Sequence, residues 1–543
     1  MRKTALTILL IFTAIYGYAQ SAYDALLFSE NNYEGTARTV AMGNAFTALG
    51  GDLGAVGINP AGSAVAGYSQ FTLTPALTFA ASTTEGISPY SDGSLPYFDR
   101  KMKNTTTHFS MPNFGISINY DTHRTSGLKN LTFGFIVNKT ADYSEDLYAN
   151  GINSSTSFMG ALAYDASTTG ITGAELDSED IYYRYDHWSH IVGYQSGMIS
   201  TFGGYDDQFV GASEVIYDNG SVAVGGPLNQ TYGRTTQGSK YDYLFNIGAN
   251  ISDFIYIGAN LGLVSIDYSQ SWYFKESAVD PSDFEIEYSN GDVVSFNEMI
   301  YRNMFTLSGS GVYGKFGIIV TPGAGFRFGA AVQTPTLTNI SQEFSESGAT
   351  SFSDGTFEAE SPYRSYTYKI VSPFRANFGA AYAFGKLGVV SVDYELCDYN
   401  QMRLKENDYN DMGEFDSPNE DIRAWFGMSH MLRAGLEVKP FSSLAIRAGY
   451  GLTTSPDIYY DDYGNRLPVN KTHNASLGLG YSSKGSFYAD FALRRTFLPD
   501  EEIMPYPDYV FDQNGNIDEN AYAPLIRNQR SLWKAMITFG WRF

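Results

Sequence analysis

Apolar and polar side chains alternate with period two over long stretches of this chain. Between Phe374 and Phe384 one face carries Phe374, Ala376, Phe378, Ala380, Tyr382 and Phe384, and the other Arg375, Asn377, Gly379, Ala381 and Ala383. At the C-terminus Trp533, Ala535, Ile537, Phe539, Trp541 and Phe543 alternate with Lys534, Met536, Thr538, Gly540 and Arg542. Over 486–497, Phe487, Ala489, Phe491 and Leu493 stand against Tyr488, Asp490, Ala492 and Arg494. Period two places successive side chains on opposite faces of a strand. The pattern predicts strands near 68–80, 105–120, 128–141, 240–251, 253–274, 300–320, 325–336, 366–384, 388–400, 428–439, 444–454, 472–482, 486–497 and 531–543.

These are about fourteen strands, and the connectors between them alternate between short and long. The short ones include DTHRTSG, PGAG, GKL, PFSS and SSKG, and the longest of the others is 142–239. A soluble sandwich would show the same period, with its apolar face in a core, but has no reason to alternate its connectors. An even strand count with alternating connectors predicts an all-β fold, a 14-stranded antiparallel transmembrane outer-membrane β-barrel. Its apolar face meets lipid, its polar face lines the lumen, and aromatics at strand ends form interfacial girdles. The alternation expects both termini in the periplasm, beside the short turns.

The N-terminal 66 residues have a different texture. Met1 to Ala19 reads as a signal peptide, with Arg2 and Lys3 ahead of the apolar LTILLIFTAIY. Residues 20–66 are read as a small hatch inside the barrel, and 67–543 as the barrel with its long extracellular loops. Gly, Ala, Ser and Thr fill most of Gly35 to Ala64. Ala37, Ala41, Ala45 and Ala48 suggest one short helix over Arg38 to Leu49, ended by Gly50-Gly51. Asp52 could cap the next turn, and Asn59-Pro60 reads as a second helix start.

Composition supports the barrel. There are 42 Tyr, 37 Phe and 55 Gly, and charged residues make up only 17%, low for a soluble surface. The net charge of −23 argues against nucleic acid as a partner. Cys397 is alone, so no internal disulfide can form.

The run TARTVAMGNAFTALGGDLGAVGINPAGSA resembles the hatch of the FadL/TodX family of outer-membrane transporters for hydrophobic compounds. Asn59, Pro60 and Ala61, followed by Gly62, match that family's Asn-Pro-Ala motif. FRFGAAVQTPT, SPFRANFGAAYAFGKLGVVSVDYE and LRAGLEVKPFSSLAIRAGYGL are similar to strands of Bacteroidetes-type members. The resemblance implies passive uptake of hydrophobic small molecules, such as long-chain fatty acids or aromatic compounds. It implies a hydrophobic ligand, contact with outer-membrane lipid and lipopolysaccharide, insertion by the barrel assembly machinery, and a monomer. It also implies capture at the loops, transfer to a pocket above the hatch, and a hatch shift. Alternatives are a non-transporting scaffold in a secretion or surface-attachment system, or a haemin-binding receptor. The insert 142–239 matches nothing in the family pattern.

On the polar face, Arg327, Arg375, Arg433, Arg447 and Arg494 are candidate contacts for a ligand carboxylate, since a guanidinium pairs bidentately with one. The opposing reading is a lumen of paired charges that holds the hatch. Pro112 in the second strand and Pro373 in the eighth remove ladder donors. The family's wall kink lies in the third strand, where this chain has only Gly134, so a wall opening is expected near Pro112 and Gly134. His187 and His190 could bind haem iron or a transition metal, but a solvated loop is the expectation, with no metal and no cofactor. DQNGNIDEN at 512–520 reads as a loop turn rather than a calcium loop. No catalytic constellation emerges, and the chain is read as no enzyme.

Overall fold

The computed structural model describes residues 21–88, 97–217, 221–287, 291–407, 413–460, 466–483, 485–511, 517–518 and 521–543. The expected signal peptide and most of 512–520 lie outside these residues. The strands close into one ring. In chain order they are β1 Gln70–Ile87, β2 Met102–Asp121, β3 Leu128–Asp142, β4 Leu228–Ile251, β5 Ile255–Ala278 and β6 Val293–Gly323. β7 comprises Phe326–Gln333 and Leu337–Phe352, and β8 comprises Arg364–Val371 and Arg375–Ala383. The ring continues with β9 Gly388–Asp398, β10 Met428–Phe441, β11 Leu444–Thr454, β12 Lys471–Ser482, β13 Phe487–Phe497 and β14 Leu525–Arg542. Neighbours pair antiparallel, and β14 returns to β1 from Gln70↔Arg542 to Ile87↔Leu525, which closes the ring. Closure is what a sheet needs in lipid, where an unpaired edge has no water to satisfy it.

The expected faces are where the alternation puts them. Phe328, Phe378, Val392, Leu436, Leu477 and Ile537 point outward and are exposed, forming an apolar belt across β7 to β10, β12 and β14. Their inward neighbours Arg375, Asp393, Glu437, Asp490 and Lys534 are buried. Tyr394 and Tyr450 reach His430 and His473 on adjacent strands at 2.7 and 2.6 Å, marking the belt's upper rim.

Two features depart from the expected strands. β7 and β8 are interrupted at Thr334–Thr336 and Ser372–Phe374, where Pro335 and Pro373 face one another in a continuing register. Two opposed prolines leave neither strand a donor at that level. β4, β5, β6 and β14 also run well past the lipid belt on the long-loop side. Residues 228–239, expected in the insert, belong to β4.

Glu145–Asn153 of the insert pairs antiparallel with Leu228–Thr236 of β4, and the remainder folds into a cap. α1 Ala22–Ser29 and α2 Ala37–Ala41 lie in the hatch, and α3 Phe158–Thr169 and α4 Trp188–Gln195 lie in the cap. Phe158, Leu162 and Val192 pack with Phe274 of β5, Tyr301 of β6 and Tyr506 ahead of β14. Glu276 of β5 fastens the start of α3, accepting from Ser157 Oγ at 2.6 Å, Phe158 N at 2.9 Å and Gln230 Nε2 at 2.7 Å.

Candidate functional site

The hatch occupies the lumen and is held by its own backbone. Its helix α2 is shorter than the expected Arg38–Leu49, because Gly43 and Asn44 turn into the left-handed region at φ 62° and 61°. Asp52 takes hydrogen bonds from Thr36 Oγ1 at 2.7 Å and Gly54 N at 2.9 Å, joining two turns. Asn59 Oδ1 accepts from Ala61 N at 3.1 Å, and Pro60 starts the turn Pro60–Val65. The Asn59 amide also donates to Thr47 O at 2.7 Å and to Ile318 O of β6 at 3.2 Å. Ala61 and Gly62 are buried beneath it.

Wall side chains satisfy the hatch carbonyls. Lys240 reaches Phe28 O at 2.9 Å, Lys315 reaches Gly57 O at 2.8 Å, and Asn138, Asn246 and Asn260 reach Gly54 O, Pro60 O and Val56 O. The inner wall is glycine where the hatch touches it. A Cβ on Gly258, Gly329, Gly449 or Gly478 would stand 2.0 to 2.4 Å from hatch atoms. A close backbone approach of this kind admits no side chain.

Four of the five candidate arginines are buried in the lumen and committed, while Arg327 is half-buried. Arg375 donates to Ser29 O at 2.6 Å, Tyr399 OH at 2.9 Å and Glu395 at 3.1 Å. Arg433 donates to Asn377 at 2.7 Å and lies over the Tyr33 ring. Arg447 bridges Glu437 and Asp490, and Arg494 meets Glu34 of the hatch at 3.0 Å. Arg327 makes no hydrogen bond or ion pair among the described residues. None of the five lines the cavity described next. Buried guanidinium groups need carboxylates, and the hatch and wall already supply them.

A cavity of about 1290 Å³ lies above the hatch, on the long-loop side. α1 forms its inner wall with Tyr23, Leu26 and Leu27. Tyr23 packs on Trp425 and Phe426, with centroids 5.7 and 5.4 Å apart, and Trp425 ends the loop helix α5 Asp416–Trp425. A capping box fixes the start of α1, with Ser21 N to Asp24 Oδ2 at 2.8 Å and Asp24 N to Ser21 Oγ at 3.2 Å. Burial pushes the Asp24 carboxyl up to about 6. Ser21 lines the cavity, away from the rim of short turns. The C-terminal Phe543 is at that rim, paired with Ser69. The basic side chains that line the cavity among the described residues are Arg234, Arg530 and His108. Arg234 is paired to Glu501 at 2.9 and 3.0 Å, while Arg530 is only loosely placed, 3.9 Å from Glu145. Sequence reasoning missed both, because they stand above the belt, on strand extensions read as loop in one case and left unassigned in the other.

The cavity reaches a gap in the wall. The β2–β3 ladder runs from Asp121↔Asn130 to Asn113↔Asn138 and stops there. Pro112 is the next residue of β2. A bulge at Met111-Pro112 opposite Pro75 carries β2 onward against β1 alone, while Lys139–Asp142 of β3 stays with β4. A side-chain link crosses the gap, His108 Nε2 to Asp142 Oδ2 at 2.9 Å. Thr106, His108, Asp142 and Tyr143 beside it line the cavity. Gly134 is elsewhere, in an unbroken part of the ladder opposite Ser117 and Asn246.

No family model and no curated protein matches the sequence. Among solved structures, a FadL homologue of Pseudomonas aeruginosa superposes with a TM-score of 0.50 at 11% identity, covering 95% of this chain and all of that one. The chain shares the FadL fold. The toluene transporters TodX of P. putida and TbuX of Ralstonia pickettii are similar at TM-scores of 0.47 and 0.46, each at 12% identity and over 94% of this chain.

Proposed function

We propose that this chain is an outer-membrane channel for passive uptake of hydrophobic small molecules, long-chain fatty acids or aromatic compounds among them. The observation that carries the reading is the cavity above the hatch, continuous with the ladder break between β2 and β3. A solute with an apolar body fits against Tyr23, Leu26, Leu27, Trp425 and Leu532, and the loosely held Arg530 suits a carboxylate head. The onward route that fits the geometry is sideways through the gap beside Pro112, with His108–Asp142 parting. A route through the hatch would break the lumen ion pairs and the glycine-lined contacts together. Such a protein works as a monomer in outer-membrane lipid, beneath lipopolysaccharide, and is inserted by the assembly machinery.

The scaffold reading keeps one observation in its favour, the fully packed and charged lumen below the cavity. The haemin reading loses its pair, because His190 is fully buried between Asp165 and Tyr185 and cannot face a macrocycle. The deciding experiment is native mass spectrometry of protein purified in mild detergent, with uptake of labelled fatty acid by whole cells. Leu27→Trp with Ala80→Trp fills the cavity and is expected to remove bound lipid and uptake while leaving heat-modifiable gel mobility. Absence of any apolar ligand, with uptake indifferent to both substitutions, favours the scaffold.

A further inference from the structure

The cap brings Asp165 to the closely spaced pair His187 and His190, a partner that sequence spacing does not announce. Asp165 of α3, His187 just ahead of α4 and His190 within it each place a ligand atom within 4.8 Å of the others. The two imidazoles lie parallel, with centroids 5.1 Å apart. We propose that Asp165, His187 and His190 bind one divalent transition-metal ion of the zinc class.

The hydrogen-bond chain behind His190 supports this. Thr169 Oγ1 donates to Ala166 O at 2.7 Å and so is left as an acceptor for the Tyr185 hydroxyl at 3.1 Å. The Tyr185 hydroxyl lies 2.7 Å from His190 Nδ1 and holds that side of the ring. His190 Nε2 faces Asp165 Oδ2 at 2.8 Å inside the cap, so an imidazole nitrogen and a carboxylate oxygen already stand side by side. A metal ion drawn between them exchanges that contact for two metal–ligand bonds. Two imidazoles and a carboxylate suit zinc, copper or nickel, and metal–ligand bonds of about 2.0–2.2 Å fit donors this close. Tyr185 becomes the outer partner that metal-bound imidazoles ordinarily have. Asp165 and His187 are half-buried, so the ion has an approach from solvent and a fourth position for water. The bound ion would clip α3 to α4 across the intervening residues 170–186.

The test uses the full chain in detergent, metal-stripped and without a histidine tag. Zinc is titrated by calorimetry, and cobalt is followed by its visible absorption. The expected result is one ion per chain, with slower proteolysis within 170–186 when zinc is present. Asp165→Asn and His187→Ala are each expected to lower affinity at least tenfold. Tyr185→Phe, which keeps all three ligands, is expected to lower it roughly 10- to 100-fold. Unchanged gel mobility and an unchanged protease pattern without zinc show that the variants remain folded. Failure to bind either ion, or binding unaffected by both Asp165→Asn and His187→Ala, overturns the proposal.

Discussion

Asn59 of the hatch and Gly317 of β6 fit so closely that a Cβ on Gly317 would stand 1.9 Å from Asn59 Oδ1. The contact leaves Asn59 free to cap its own turn and to donate across to the backbone of the wall. Gly317→Ala is therefore expected to displace the hatch at a cost of about 1–3 kcal/mol, the usual range for overpacking. Hydrogen exchange over 35–64 should rise while heat-modifiable gel mobility stays. Unaltered exchange would show that the hatch is looser in its seat than the contact indicates.

The change Asn59→Ala, Pro60→Ala tests the motif itself. Loss of the cap costs about 0.5–2 kcal/mol. Thr47 O loses its donor as well, at about 1–3 kcal/mol for a buried group. The barrel ladder is untouched, so assembly should survive while fatty-acid uptake changes several-fold. Wild-type uptake would separate the motif from transport, and failure to assemble would make it a folding element.

Charge in the lumen gives a paired prediction. Glu34 holds both Arg494 and Lys534. Glu34→Gln leaves two buried cations short of a partner and is expected to cost about 3–5 kcal/mol. Arg327→Met removes a cation that pairs with nothing among the described residues, and is expected to be neutral or stabilising. Thermal unfolding in detergent reads both, and equal effects would contradict the assigned pairings.

The cap should respond to pH through Glu214, which accepts from Gly211 N at 2.8 Å and is pushed up to about 7 by burial. A raised carboxyl favours the folded cap fully below its unfolded value of 4.5, and that contribution fades as pH rises through about 7. Two and a half units at 1.36 kcal/mol each make the effect on the order of 3 kcal/mol. The cap segment should be better protected from exchange at pH 5 than at pH 8, after correction for intrinsic rates. Glu214→Gln should flatten the difference, and a cap equally protected at both values would refute the assignment.

The barrel was legible in the sequence because its signal is local. Phe378 and Asn377 announce their faces within two residues, and the turns announce their lengths. The roles of the lumen arginines were not, because Arg494 and Glu34 meet across 460 residues of chain. The inward glycines could be placed on the lumen face by period alone, but nothing near Gly317 in sequence names Asn59 as the reason. The cap was opaque for the same cause, since Phe158 acquires its core only from Phe274, Tyr301 and Tyr506. Asp165 lies too far ahead of His187 for any ligand spacing to suggest it. Pro112 was visible as a missing donor, but Pro75, which faces its bulge, drew no notice.

The interlock between hatch and wall bears on how the molecule is made. Ala37 N donates to Thr538 Oγ1 on β14, and Thr538 also meets Thr74 on β1, so one cluster spans the hatch and the two strands that close the ring. A body whose backbone sits in notches around the circumference cannot be slid in along the axis afterwards. The wall has to be wrapped around it, and the joining of first and last strands becomes the step that traps the contents.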